Sequence, residues 1–256
     1  MDRDELVSRI FLRSALPLIK DLAEEQPLYK KLFPKKGVIQ LQADDNEGVA
    51  AQILFEEGEI SVRPGKHEKP DLTLCFRTTA MLNSFFAGKT LLPKIRGLAK
   101  IHLLFRVLPL LLGVKILLPN ALPEDAKKRA LKVKLLLFMI TNALSQLNKG
   151  GDEEFLKTTE NSPDRIFQWT VKDGPAAFLR MKAGKTKAGR GTYTRRRPFV
   201  HMIFPDIDSA FMVLTSQAPL VEAVRLGYVV TEGAMEGSKE MGYHMQRVEE
   251  LTGAYA

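Results

Sequence analysis

The sequence predicts an α+β protein in which one module is used twice. Two observations point there. First, sliding the chain along itself by 128 positions puts Pro70 on Pro198 and the alternating Leu72, Leu74 and Phe76 on Val200, Met202 and Phe204. The same slide puts Val38, Ile39, Gln40 and Leu41 on Ile166, Phe167, Gln168 and Trp169, and Phe85, Phe86 and Leu92 on Val213, Leu214 and Leu220. The apolar pattern is shared without a net gap from Val38 to Leu92, and self-similarity of this kind decides the fold reading. Second, short period-2 runs are followed in both halves by a capped helix-like segment, the mark of sheets covered by helices.

The first module opens after a helical lead-in over 2–31, interrupted at Pro17 and Pro27. Val38–Gln42 reads as a strand, and 49–63 as a hairpin turning at Gly58. Leu72–Arg77 alternates strictly. Thr78 is placed to cap a helix carrying Met81, Leu82, Phe85 and Phe86, and Gly88 to close it in a left-handed conformation. Asp206, 128 residues after Thr78, has the same capping role ahead of Phe211, Val213 and Leu214. A strongly apolar helix is expected over 98–118 and a long amphipathic one over 124–147, stopped by Lys149-Gly150-Gly151. The polar stretch 148–164 reads as the boundary. Beyond it, strands are expected at 166–172, 176–181, 199–204 and 224–231, then a final helix over 238–251. The organisation expected is a helical segment 1–35, module 1 over 36–118, a helical linker 119–162 and module 2 over 163–256.

The 45% apolar content excludes general disorder, and a net charge of +8 favours anionic partners. Cys75 is the only cysteine, which excludes an intramolecular disulfide and a cysteine-rich metal site. The N-terminus lacks the basic start and clean apolar core of a signal peptide. The apolar run 101–118 is short and broken by His102, Arg106, Pro109, Gly113 and Lys115. The expectation is a cytoplasmic protein with peripheral membrane contact.

Three stretches of module 1 resemble the sterol carrier protein-2 family. They are the hairpin Ala51-Gln-Ile-Leu-Phe-Glu-Glu-Gly-Glu-Ile-Ser-Val62, the strand Lys69-Pro-Asp-Leu-Thr-Leu-Cys-Phe-Arg77, and the helix Met81-Leu-Asn-Ser-Phe-Phe-Ala-Gly-Lys89. Lys94-Ile-Arg-Gly97 and the apolar run after it are similar to a shortened family ending. The resemblance covers 36–118 well and 163–256 more weakly, where Phe199 replaces Asp71 and the acidic hairpin turn is missing. It implies two sterol-carrier-like modules, each a mostly antiparallel twisted sheet covered by helices, joined by a helical linker. It also implies non-catalytic binding or transfer of a lipid (a sterol, fatty acyl or isoprenoid-type ligand) in an apolar tunnel. Candidate tunnel residues are Phe76, Met81, Phe85, Phe86, Leu98, Ile101, Phe105 and Leu108, with a closed core as the competing reading of each.

Residues 182–197 gather Lys182, Lys185, Lys187, Arg190, Arg195, Arg196 and Arg197 without an acid. On a hairpin these would dock on anionic headgroups; nucleic acid, with Tyr193 stacking, is an alternative, and a solvated hairpin without a partner is the competing reading of both. A second alternative is an interaction module with closed cores and helix 98–118 as a protein or homodimer surface. Gly88-Lys-Thr90 and Gly184-Lys-Thr186 are not phosphate loops, because Asn83 and Leu179 stand where the first glycine is required. His67, His102, His201 and His244 lack metal-ligand spacing, and His102 and His201 read as satisfied structural histidines. No nucleophile elbow or Cys/His pairing is present. No enzyme activity, cofactor or metal is expected.

Overall fold

The computed structural model describes residues 2–25 and 33–253. The protein is α+β, with two five-stranded mixed sheets. It divides into two compact units, one of Met1–Leu118 with Leu251–Ala256 and the other Pro119–Glu250.

The first unit begins with α1 (Arg3–Ile10), a π-helical turn (Phe11–Ala15), a 3₁₀ turn (Leu16–Leu18) and α2 (Ile19–Glu25). The expected lead-in helix is thus helical but irregular. Pro17 has no N–H and its ring crowds the preceding turn, so the ladder shifts register around it. The expected break at Pro27 lies outside the described residues. The strands β1 (Lys36–Ala43), β2 (Ala50–Glu56), β3 (Glu59–Pro64), β4 (Leu72–Phe76) and β5 (Lys94–Arg96) lie in the order β3-β2-β1-β4-β5. Only β1 and β4 pair in parallel. Helix α3 (Thr79–Phe86) follows β4, and α4 (Ile101–Gly113) follows β5 with single 3₁₀ turns on either side.

The second unit opens with α5 (Ala126–Lys149) and α6 (Glu153–Glu160). The polar stretch expected to be a boundary therefore contains a helix, started by the Asp152 carboxylate accepting from Phe155 N–H. Strands β6 (Arg165–Val171), β7 (Ala176–Lys182), β8 (Lys185–Arg190), β9 (Val200–Phe204) and β10 (Val230–Gly233) lie in the order β10-β9-β6-β7-β8, with β6 and β9 parallel. Between β9 and β10 stand α7 (Ile207–Leu214) and α8 (Leu220–Arg225), and α9 (Met235–Gly253) follows β10. The strand expected over 224–231 is corrected: its first residues finish α8 and only Val230 onward pairs. Pro219 starts that helix, and the β-branched run after it gave a misleading strand signal.

The two sheets have the same strand order, read from β3 and from β8. Their parallel pairs match residue for residue: Ile39, Leu41 and Ala43 lie beside Leu72, Leu74 and Phe76, as Phe167, Trp169 and Val171 lie beside Val200, Met202 and Phe204. Asp71 N–H donates to Val38 O at 3.0 Å, and Phe199 N–H to Ile166 O at 2.8 Å. The hairpins, however, correspond at an offset of 126, which relates Ala50–Glu56 to Ala176–Lys182. Two residues fewer before β7 are balanced by two more after β8, which is why the slide shows no net gap. Leu92 and Leu220 do not correspond: Leu92 is in coil and Leu220 opens α8.

Among the described residues one helix, α5, is long and apolar enough to cross a membrane; 67% of its most apolar window is buried within the protein. It packs against β7, β8 and α7.

Candidate functional site

In the first unit the sheet is covered by α3 and α4. Helix α3 starts where the Thr78 hydroxyl accepts from Met81 N–H at 3.2 Å and ends at Gly88 (φ 99°), as the sequence expects. Its equivalent cap holds in the second unit, where Asp206 accepts from Ser209 N–H at 2.7 Å. That bond holds the Asp206 carboxyl below its ordinary range. Helix α3 carries Phe85 and Phe86 onto an aromatic cluster. Phe85 lies 5.2 Å from Phe76, Phe86 is 5.6 Å from Phe85, and Phe11 stacks on Phe86 at 5.5 Å. Phe76 and Phe86 are buried, and Met81 and Phe85 half-buried.

Helix α4 lies against β1, β4 and α2. Leu103, Val107, Leu110 and Leu111 form its buried face. Leu103 packs over β1 at Gly37, where an added Cβ would meet it at 3.4 Å. Ile101, Phe105, Leu108 and Leu112 recur at i, i+4, i+7 and i+11 on the opposite face. Phe105 is 68% exposed, Leu108 36% and Leu112 48%, with Leu98 66% exposed on the turn before. Ile101 is half-buried. The eight sequence candidates therefore form two groups. Phe76, Phe85 and Phe86 are brought together, with half-buried Met81 on the same helix, whereas Ile101, Phe105 and Leu108 lie on the outer side of α4 and Leu98 on the turn before it. His102 is exposed, not the packed structural histidine expected from its apolar neighbours.

The basic residues of 182–197 are all exposed, but they do not occupy one hairpin. Lys182 ends β7, directly opposite Lys185 on β8; Lys187 sits opposite Arg180. Arg190 turns to the helix side, its guanidinium 4.5 Å from the Phe138 ring. Arg195, Arg196 and Arg197 follow in the loop before β9. Asp164 binds Arg180 at 2.7 Å and Arg196 at 3.4 Å, and this pairing holds its carboxyl below the usual range. β8 is an edge strand; lysines there also deter edge-to-edge pairing with another chain.

Buried polar groups that pattern reading passed over have definite partners. In β1, Gln40 accepts from His67 N–H at 2.7 Å; in β6, Gln168 accepts from Tyr193 N–H at 3.0 Å. Each pins the chain as it leaves its hairpin. Their shared identity in the 128-residue slide was the available signal. His244 is 2% exposed, with Nε2 2.9 Å from the Thr158 hydroxyl and its ring 4.6 Å from Phe155. Burial pushes its pKa down. Beside it, Arg247 donates twice to Asp152, at 2.8 and 2.9 Å. Lys132, fully buried on α5, donates to Ala121 O at 2.5 Å, and desolvation lowers its pKa to about 8. His201 bonds Thr170 at 2.9 Å. Among the described residues no three His, Cys, Asp or Glu side chains are grouped to hold a metal.

No protein-family model and no curated protein matches this chain. Weak likenesses exist among solved structures. Sterol carrier protein 2 from Yarrowia lipolytica (apo form) is 13% identical, with 40% of this chain and 91% of that one covered at a TM-score of 0.30. Sterol carrier protein 2 like 2 from Aedes aegypti is 13% identical over 45% of this chain and 98% of that one, TM-score 0.28. A double mutant of the sec-alkyl sulfatase PisA1 is 14% identical, TM-score 0.32, over 49% of this chain; the match spans only 16% of the sulfatase.

Proposed function

We propose that this protein binds a lipid without catalysis, between the first unit's sheet and the helices α3 and α4 that cover it. The supporting observation is that α4 is apolar on both faces: one packs on the sheet and the other is exposed. Such a helix loses little if it shifts to admit an acyl chain or sterol, because its contacts are non-directional. Each lipid methylene buried there would contribute about 0.8 kcal/mol. Phe76, Phe85 and Phe86, which touch one another, would line the inner side together with Met81 of α3. The sequence resemblance of 36–118 to sterol carriers favours the same reading.

On this reading the two units are one scaffold duplicated, with the cargo in the first. The second keeps the strand order and the capped helix but has Phe199 in place of Asp71, whose carboxylate accepts from Val38 N–H at 2.9 Å. Titration with a fluorescent fatty acid, followed by displacement with unlabelled fatty acid or sterol, tests the proposal. Saturable, displaceable binding is expected. A flat titration with each probe would sink it.

A further inference from the structure

We infer that the outer face of α4 is a docking surface for anionic phospholipid bilayers. Phe105, Leu108 and Leu112 stand exposed along one stripe of α4, and Leu98 is exposed on the turn before it. Scattered apolar residues on a surface need no explanation, but a stripe of three with a fourth on the adjoining turn does. The surrounding charge identifies the partner. Lys100, His102, Arg106 and Lys115 are exposed around the stripe. Over α4 and its flanking turns, 98–117, the sequence has Lys100, Arg106 and Lys115 and no acid.

An apolar face with a cationic rim matches a helix lying in the plane of a bilayer interface. The apolar side enters the acyl boundary, and the basic heads meet phosphates. Long Lys and Arg stems reach along apolar surface while their charges stay at headgroup depth. At 1.5 Å per residue, α4 would lie about 20 Å along that plane. A second copy of this chain fits less well, because two cationic rims would face each other. Nucleic acid would use the charges but leave the apolar stripe without a role. Docking this face would bring the helix that covers the proposed lipid site against the membrane that supplies or receives the lipid.

Cosedimentation of the full chain with phosphatidylcholine vesicles, with and without phosphatidylserine, tests the inference. Binding to the phosphatidylserine vesicles is expected, falling as salt rises. The double variant Phe105→Glu/Leu108→Glu is expected to weaken it by about tenfold or more, since each 1.4 kcal/mol is tenfold in affinity. Leu98→Glu should act in the same direction. The melting temperature and fatty-acid titration of each variant are measured alongside, so that loss of docking is read apart from loss of folding or of lipid binding. Arg195→Ser/Arg196→Ser/Arg197→Ser should weaken binding less, through general charge alone. Wild-type protein that fails to cosediment, or glutamate variants that bind as well as wild type, would overturn the inference. So would a wild-type dimer that the double variant turns into a monomer in light scattering.

Discussion

Gly97 and Gly233 mark the same need in the two units. Each has positive φ, 87° and 98°, and each lies against the carbonyl of the residue that leads into the parallel strand. A Cβ would stand 2.3 Å from Asp71 O in one and 2.2 Å from Phe199 O in the other. Gly97→Ala and Gly233→Ala are therefore each expected to destabilise by more than about 2 kcal/mol, measured by chemical denaturation. Loss of the Thr78 or Asp206 cap by substitution with alanine should cost about 1 kcal/mol. The caps were legible because a capping residue and its helix are neighbours in sequence. The glycines were only partly so: Gly97 stood out, but its partner Asp71 lies across the sheet, and no local pattern records that approach. Cys75 is 1% exposed and burial raises its pKa. It is expected to resist a thiol reagent in native buffer and react fully on unfolding.

Helix α4 separates what composition tells from what packing decides. Its apolarity was plain in the sequence, but a helix apolar nearly all round does not announce which side faces the core. Leu110→Ala, on the buried side, should cost about 2–5 kcal/mol. Phe105→Ser, on the outer side, should stay within about 0.5 kcal/mol. Denaturant midpoints of the two variants make the comparison directly. The helices α6 and α9 pose a different problem, since Thr158, His244, Asp152 and Arg247 meet only after folding and carry no shared motif. The buried His244 ring resists the proton that the unfolded chain accepts near pH 6.5. Its contribution is therefore complete above that pH and lost progressively below it. Urea denaturation at pH 7.5 and 5.5 should show a stability loss at the lower pH that is smaller in His244→Gln.

At the scale of the molecule, the α+β class and the central strands of both sheets were readable from alternation, turn glycines and the 128-residue slide, whereas the edge strand β8 read only as a basic segment. The identical strand order could not be read in full, because the hairpins are displaced by two residues and α8 enters before β10. The basic segment 182–197 looked like one feature in sequence. Folding distributes it over β7, both sides of β8 and the following loop. It contributes to the positive field of a chain with net charge +8, and field alone sets no site. What gives the first unit a candidate role is its surplus of apolar surface on the helix that covers the sheet. Mass spectrometry of an organic extract of the purified protein tests that role most directly. A lipid recovered at about one molecule per chain is the expected result. An extract free of lipid, from protein that also fails to take up a fluorescent fatty acid, would contradict it.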